Sequence, residues 1–181
     1  MPVQMTMADT VTVEMLDVVD AHNRIVGCAP RRAVHRLGLR HRAVHMLIFD
    51  GEDRIYLQRR SPLKDVDPDL WDTSAAGHVD CGEDYLDAAR RELAEELSLD
   101  DVALEVLCEL PARPETGEEF VRVFIGRTRG EPRPDPREIA AGGWWSQRDL
   151  AQWLAREPAV FTATFKQIHA EFAARGARIA P

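Results

Sequence analysis

Residues Gly77 to Leu99 read GHVDCGEDYLDAARRELAEELSL, and the spacing inside this stretch decides how the rest of the chain is read. Leu86, Ala89, Leu93 and Leu97 recur at helical intervals, so a helix is predicted from about Asp84 to Leu97, docked by that stripe. Glu92, Glu95 and Glu96 stand at i, i+3 and i+4 and share a different face. Carboxylates that close repel one another by about 0.2–0.5 kcal/mol per pair. A divalent cation would reverse the sign, because its charge dominates its surroundings. Oxygen donors without a competing thiolate cluster favour Mg²⁺ or Mn²⁺. Such ions commonly sit between protein carboxylates and substrate phosphates, which points to phosphate or diphosphate chemistry. The plainer reading, an acidic solvent face on an amphipathic helix, stays open at this point.

Working outward, the chain has 181 residues, enough for one domain with a sizeable core. A single domain is expected over residues 13–173, with flexible tails at 1–12 and 174–181. No run of transmembrane length and no signal-peptide pattern is present, so no membrane partner is expected. A net charge of −8 argues against general nucleic-acid binding, which leaves a basic footprint. Cys28, Cys81 and Cys108 are odd in number and widely spaced, which predicts reduced thiols in a cytoplasmic protein and no structural zinc.

Strands are predicted over Val13–Asp20 and Ile25–Gly27 around a His22-Asn23 turn, then over Ala43–Phe49 and Ile55–Gln58 around Asp50-Gly51. Further strands are expected at Phe120–Ile125 and from Gly143 to Trp145, with Pro132, Pro134 and Pro136 opposing regular structure between them. Helices are predicted at Arg31–Leu37, Arg148–Ala155 and Phe161–Ala173. Of Trp144 and Trp145, at least one is expected in the core. Asp80 and Asp84 are expected to serve a turn and a helix start.

Gly77, five residues, Glu83, seven residues, Arg91-Glu92-Leu93, one residue, Glu95-Glu96, one residue, then Ser98-Leu99 resembles the Nudix hydrolase signature. Ser98 stands where the family has glycine. The resemblance implies an α/β fold, a Nudix-like α/β/α sandwich with a mixed β-sheet. It implies that Glu92, Glu95, Glu96 and the Gly77 carbonyl hold metal, that Glu95 or Glu96 helps to activate water, and that Glu83 and Arg91 brace the loop–helix unit. A homodimer is in keeping with the family.

Upstream, Ala33-Val34-His35, Gly38 to Ala43, Gln58-Arg59-Arg60-Ser61, Lys64 and Trp71-Asp72-Thr73-Ser74 resemble the isopentenyl-diphosphate isomerase-like branch. By that resemblance Arg60 and Lys64 grip substrate phosphate, and His35, His41, His78 and Glu119 are additional metal ligands. Histidines with structural roles remain an alternative. The essential isomerase cysteine corresponds to Ala76, which has no thiol, and the first acid of a later glutamate pair corresponds to Gly117. The expected function is therefore Mg²⁺- or Mn²⁺-dependent hydrolysis of a diphosphate linkage in a small, nucleoside-like molecule, with Glu95, Glu96 or Glu119 assisting the attacking water. Isomerisation of isopentenyl diphosphate and non-catalytic diphosphate binding are the alternatives. Glu138 is a further candidate, and Tyr56, Trp71 and Phe120 are candidates for stacking on a base.

Overall fold

The computed structural model describes residues 13–176, so the tail expected at 1–12 and residues 177–181 of the tail expected at 174–181 lie outside the described residues, while Ala174 is the last residue of a helix. Two strands, β1 (Met15–Val19) and β2 (Ile25–Pro30), form an antiparallel hairpin. Asp20 closes its turn by accepting from the N–H groups of His22 and Arg24, while Asn23 takes the left-handed conformation at φ 59°. Helix α1 (Arg31–Leu37) follows and ends at Gly38, also left-handed.

The main sheet has seven strands: β3 (His41–Phe49), β4 (Ile55–Arg60), β5 (Trp71–Asp72), β6 (Ala75–His78), β7 (Leu104–Leu110), β8 (Glu119–Arg127) and β9 (Ile139–Trp145). Strand β3 runs parallel to β8 along nine register positions and is antiparallel to its other partners, so the sheet is mixed. It meets β4 at the pair Phe49↔Ile55, then diverges, and β6 pairs with its first half in the space that opens.

The apolar run of β3 is buried on both faces, which is why it reads as continuous rather than alternating. Val44, Met46 and Ile48 pack with Ala88, Ala89, Leu93 and Leu97 of helix α2 (Tyr85–Leu97). Ala43, Leu47 and Phe49 face the opposite way, toward Leu150 of α3 (Gln147–Arg156) and Phe165 and Ile168 of α4 (Ala163–Ala174). Helices on both faces of a mixed sheet give the expected α/β/α sandwich.

Asp84 starts α2 as its N-cap, its side chain accepting from the N–H groups of Leu86 (2.8 Å) and Asp87 (3.0 Å). Ser98 ends it in the left-handed region at φ 54°, so the helix exit keeps the geometry that glycine reaches more cheaply. Trp144 and Trp145 both pack on core clusters, one on each face of the sheet. Tyr56 fills the space a Cβ would need at Gly142, which fixes a glycine on β9 opposite its partner strand.

Cys28 and Cys81 are joined by a disulfide, their Cα atoms 6.1 Å apart, and only Cys108 of the three is a free thiol. This corrects the expectation of reduced thiols for the pair. The hairpin lies along the β6–α2 loop, where the Cys81 N–H donates to the Met15 carbonyl at 2.7 Å and Leu16 bridges Asp80. That docking brings together residues 53 apart in sequence, which spacing alone does not reveal. Among the described residues no helix is long and apolar enough to cross a membrane.

Candidate functional site

Strand β6 divides the candidate site. Gly77 pairs with Val44 and shares its α2-facing side, whereas Ala76 and His78 pair with His45 and Ala43 on the other side. Successive residues of one short strand therefore serve two clusters.

On the helix side, the Glu92 carboxylate lies where a side chain on residue 77 would have to go, which is why glycine is needed there. Arg91 holds the motif together. Its guanidinium donates to both carboxylate oxygens of Glu83 (3.0 and 2.9 Å), to Glu92 (2.7 Å) and to the His78 carbonyl (3.0 Å). The bracing expected of Glu83 and Arg91 is thus present as geometry. Glu96 is almost completely buried and accepts from Gln58 Nε2 and the Ala76 N–H, both at 3.1 Å. Lys64 Nζ stands 3.6 Å from the other Glu96 oxygen and against the Glu138 carboxylate, so Glu138 does reach the site. Burial first, and repulsion from Glu96 second, push the Glu92 carboxyl up to about 7. Burial likewise raises Glu96, against the pull of Lys64. Burial thus favours the proton on both carboxyls, and a divalent cation would offset the repulsion between them.

Glu95 departs from this picture. Its side chain is 62% exposed and shares Arg91 Nη1 with Glu92, at 3.4 Å against 2.7 Å. The i, i+3, i+4 spacing put it near the edge of the acidic face, and the packing turns that edge to solvent. Arg60 is also committed elsewhere, donating to the Val66 carbonyl at 3.2 and 3.1 Å and to Asp72 at 3.4 Å.

On the other side, His35 from α1, His41 from β3 and His78 from β6 offer nitrogen atoms that all lie within 4.8 Å of one another. Glu119 of β8, paired in register with His41, places Oε1 at 3.5 Å from His41 Nε2 and 3.6 Å from His78 Nε2. Outer partners orient the rings. His41 Nδ1 lies 2.9 Å from the Leu39 carbonyl, which can only accept, so Nδ1 carries a proton and Nε2 faces the cluster. His78 Nδ1 bonds Glu14 at 2.8 Å, and its Nε2 meets His35 Nε2 at 3.2 Å. His41 Nε2 is buried with no hydrogen-bond partner. Three imidazole nitrogens and one carboxylate, with second partners on His41 and His78 and an orphaned Nε2 aimed inward, form a donor set that fits a divalent transition metal. Burial works against charge on His78, but its donation to the Glu119 and Glu14 carboxylates outweighs it and holds the ring up at about 9. His41 and His78 in turn draw Glu119 well below the ordinary carboxylate range, against burial.

Three contributors were not expected from the sequence. Glu14 and Gln58 orient His78 and Glu96 from elsewhere in the fold. His45 is buried on β3, two residues beyond Ala43 and four beyond His41 on the same face. Period-two alternation along β3 was a signal for it. Tyr56 is buried in the core and Trp71 packs among Trp145 and Trp153, which leaves neither free to stack on a base.

Residues 39–165 match the NUDIX domain family model. The chain belongs to the Nudix family. Within it, this Nudix chain is 35% identical over 163 residues to an isopentenyl-diphosphate Delta-isomerase of Burkholderia multivorans, covering 84% of this chain and 89% of that protein. It is 33% identical over 150 residues to a protein of a Nostoc species named an uncharacterized Nudix hydrolase, covering 81% and 89%. The crystal structure of DR0079 from Deinococcus radiodurans superposes with a TM-score of 0.73 at 30% identity, covering 91% of this chain and all of that one. Nudix relatives of both kinds, isomerase and hydrolase, thus span most of the molecule. What this Nudix chain itself places opposite His45 is the methyl group of Ala76.

Proposed function

We propose that this Nudix enzyme hydrolyses a diphosphate linkage in a small, nucleoside-diphosphate-like molecule, with Mg²⁺ or Mn²⁺ as cofactor. The observation that carries the reading is the pair of donor sets flanking β6, Glu92 with Glu96 on one side and His35, His41, His78 with Glu119 on the other, around a residue that has no thiol. Glu92, Glu96 and the Gly77 carbonyl would hold the hard cation, and the histidine set with Glu119 a second one. A bound divalent ion would offset the charge of the diphosphate and make its phosphorus more open to attack. Lys64, already beside Glu96 and Glu138, supplies a mobile positive charge for the departing phosphate. Glu96, raised by burial, is a candidate to deprotonate water, and Glu119, kept charged by its histidines, is a candidate to orient it. Glu95 enters only if its side chain turns inward, since it faces solvent here.

A second reading, isomerisation of isopentenyl diphosphate, is favoured by the histidine–Glu119 set and by the isomerase names among the relatives. Ala76 weighs against it, because an alkyl side chain transfers no proton. The deciding experiment incubates wild-type chain and Glu96→Gln with nucleoside di- and triphosphates, dinucleotides, sugar nucleotides and isopentenyl diphosphate, with and without Mg²⁺ or Mn²⁺. Products are resolved by mass spectrometry, and exchange of deuterium from solvent reports isomerisation. Metal-dependent phosphate release that is lost in E96Q is the expected result. Deuterium exchange without phosphate release would favour the isomerase, and binding with neither would favour a diphosphate-binding module.

A further inference from the structure

His45 is a buried histidine that neither donor set uses. Its place on β3 opposite Ala76 puts it on the sheet face shared by His41 and His78. The neighbours on that face are Ala43 along the strand and Ala76 across it, each carrying only a methyl group.

The hydrogen bonds fix its tautomer. The Thr73 hydroxyl has one proton, which it donates to the Ala75 carbonyl at 3.2 Å. Thr73 Oγ1 must then accept from His45 Nδ1, at 2.8 Å, so the neutral ring carries its lone pair on Nε2. Asp72 Oδ1, 3.7 Å from Nδ1, reinforces that orientation. Asp72 is itself held by the Thr73 N–H at 2.8 Å and by Arg60 at 3.4 Å. Among the described residues Nε2 has no hydrogen-bond partner, and His45 keeps about 5% of its surface exposed. An oriented base with a free lone pair and a supporting acid behind it is the general arrangement of a proton acceptor.

We propose that His45 Nε2 takes the proton from the attacking water in the hydrolysis assigned to this site. The proposal rests on the hydrolase reading above. In the step, the water O–H bond breaks toward Nε2 while the water oxygen bonds to phosphorus. The bridging P–O bond breaks with its electron pair leaving on the departing phosphate, and the imidazolium later returns its proton to that phosphate or to solvent. Burial favours the neutral ring and outweighs the pull of Asp72 and Glu119, with Arg60 and His78 acting in the same sense as burial. The free base is therefore available across neutral pH.

The test variant is His45→Asn, whose amide nitrogen keeps the Nδ1-like donor to Thr73 and removes only Nε2. The expected result is a folded enzyme with kcat lowered by roughly 10²–10⁴-fold, KM little changed, and the acid limb of the kcat–pH profile lost. A second measurement needs no turnover: ¹⁵N spectra of the wild-type full chain with Mg²⁺ and methylenebisphosphonate. There the His45 Nε2 resonance is expected to shift while Nδ1 stays protonated. A folded H45N with wild-type kcat and an unchanged acid limb overturns the proposal, as does a bisphosphonate complex that shifts the histidine cluster but leaves Nε2 unmoved. Turnover that needs Glu96 but ignores His45 sinks this proposal alone. No hydrolysis together with no shift anywhere in the site sinks the hydrolase reading and His45 with it.

Discussion

The two sides of β6 are built in different ways. The acid side comes from one stretch, with Glu92 and Glu96 a single helical turn apart and Arg91 and Glu83 tying the same segment together. The histidine side gathers His35, His41, His78 and Glu119 from α1, β3, β6 and β8. The first is crowded with like charge, which together with burial raises Glu92; the second sits in a mesh of oppositely charged partners that already orients it. A cation would relieve the repulsion on the acid side, while outer partners orient the rings on the histidine side.

The strongest way to break this comparison is Glu96→Gln. The amide oxygen still accepts from Gln58 and the Ala76 N–H, so circular dichroism and melting should stay close to wild type, while turnover falls by roughly 10³-fold or more. A folded E96Q with near-normal turnover would remove Glu96 from the chemistry.

The next contrast is in pH. Glu92 at about 7, against an ordinary 4.5, binds protons more tightly folded than unfolded. Its contribution is therefore present below pH 4.5 and is lost as pH rises toward 7. His78 at about 9, against 6.5, contributes fully below pH 6.5 and loses that contribution as pH rises through 9. Both signs agree. In the metal-free chain these two groups should lower stability from mildly acidic to alkaline pH, Glu92 by on the order of 3 kcal/mol, while His35, His45 and His169, lowered from 6.5 by burial, act in the opposite sense as pH rises to 6.5. Adding Mg²⁺ at pH 8 should recover much of the loss, and urea melts with and without EDTA across this range measure it. The difference between wild type and Glu92→Gln isolates the Glu92 share, and a wild-type advantage that grows from pH 5 to pH 8 would contradict the assignment.

Removing an outer partner sharpens the contrast further. Glu14→Gln keeps a hydrogen-bond acceptor for His78 but loses the charge, and should weaken Mn²⁺ binding on the histidine side by about 10–100-fold. Isothermal titration should show one affinity class changed and the other intact. The smallest effect is at the helix exit. Ser98→Gly relieves a left-handed non-glycine residue and should stabilise the chain by roughly 1 kcal/mol without altering kcat. A destabilised S98G would mean the serine side chain contributes more than its backbone costs.

The sequence made the acid side legible because its contacts are local: helical spacing links Glu92 to Glu96, and the flanking loop supplies Gly77 and Glu83. The long buried strand β3 and the helices were legible through their apolar patterns. Strands β5 and β6 were not, being two and four residues long, too short to show a period. Strand β7 was missed as well; a bulge between Val106 and Cys108 interrupts its alternation, and Val106 is left exposed. Glu95 is the most exposed of the three acids, a difference that ideal spacing does not show because it does not tell how a helix is rolled against its sheet. Partners such as Glu14 and the Cys28–Cys81 disulfide depend on how the hairpin docks, which is a tertiary fact.

The four residues of β6 also set a tolerance for error. Because side chains alternate from face to face, a slip of one residue against β3 would turn His78 toward the helix and move the gap at Gly77 away from Glu92. Neither cluster could survive that shift by adjusting its own side chains. The hydrogen-bond ladder of a strand scarcely longer than a turn is thus the shared alignment mark for both, and an insertion or deletion between Ser74 and Val79 would cost the enzyme both halves of its chemistry at once.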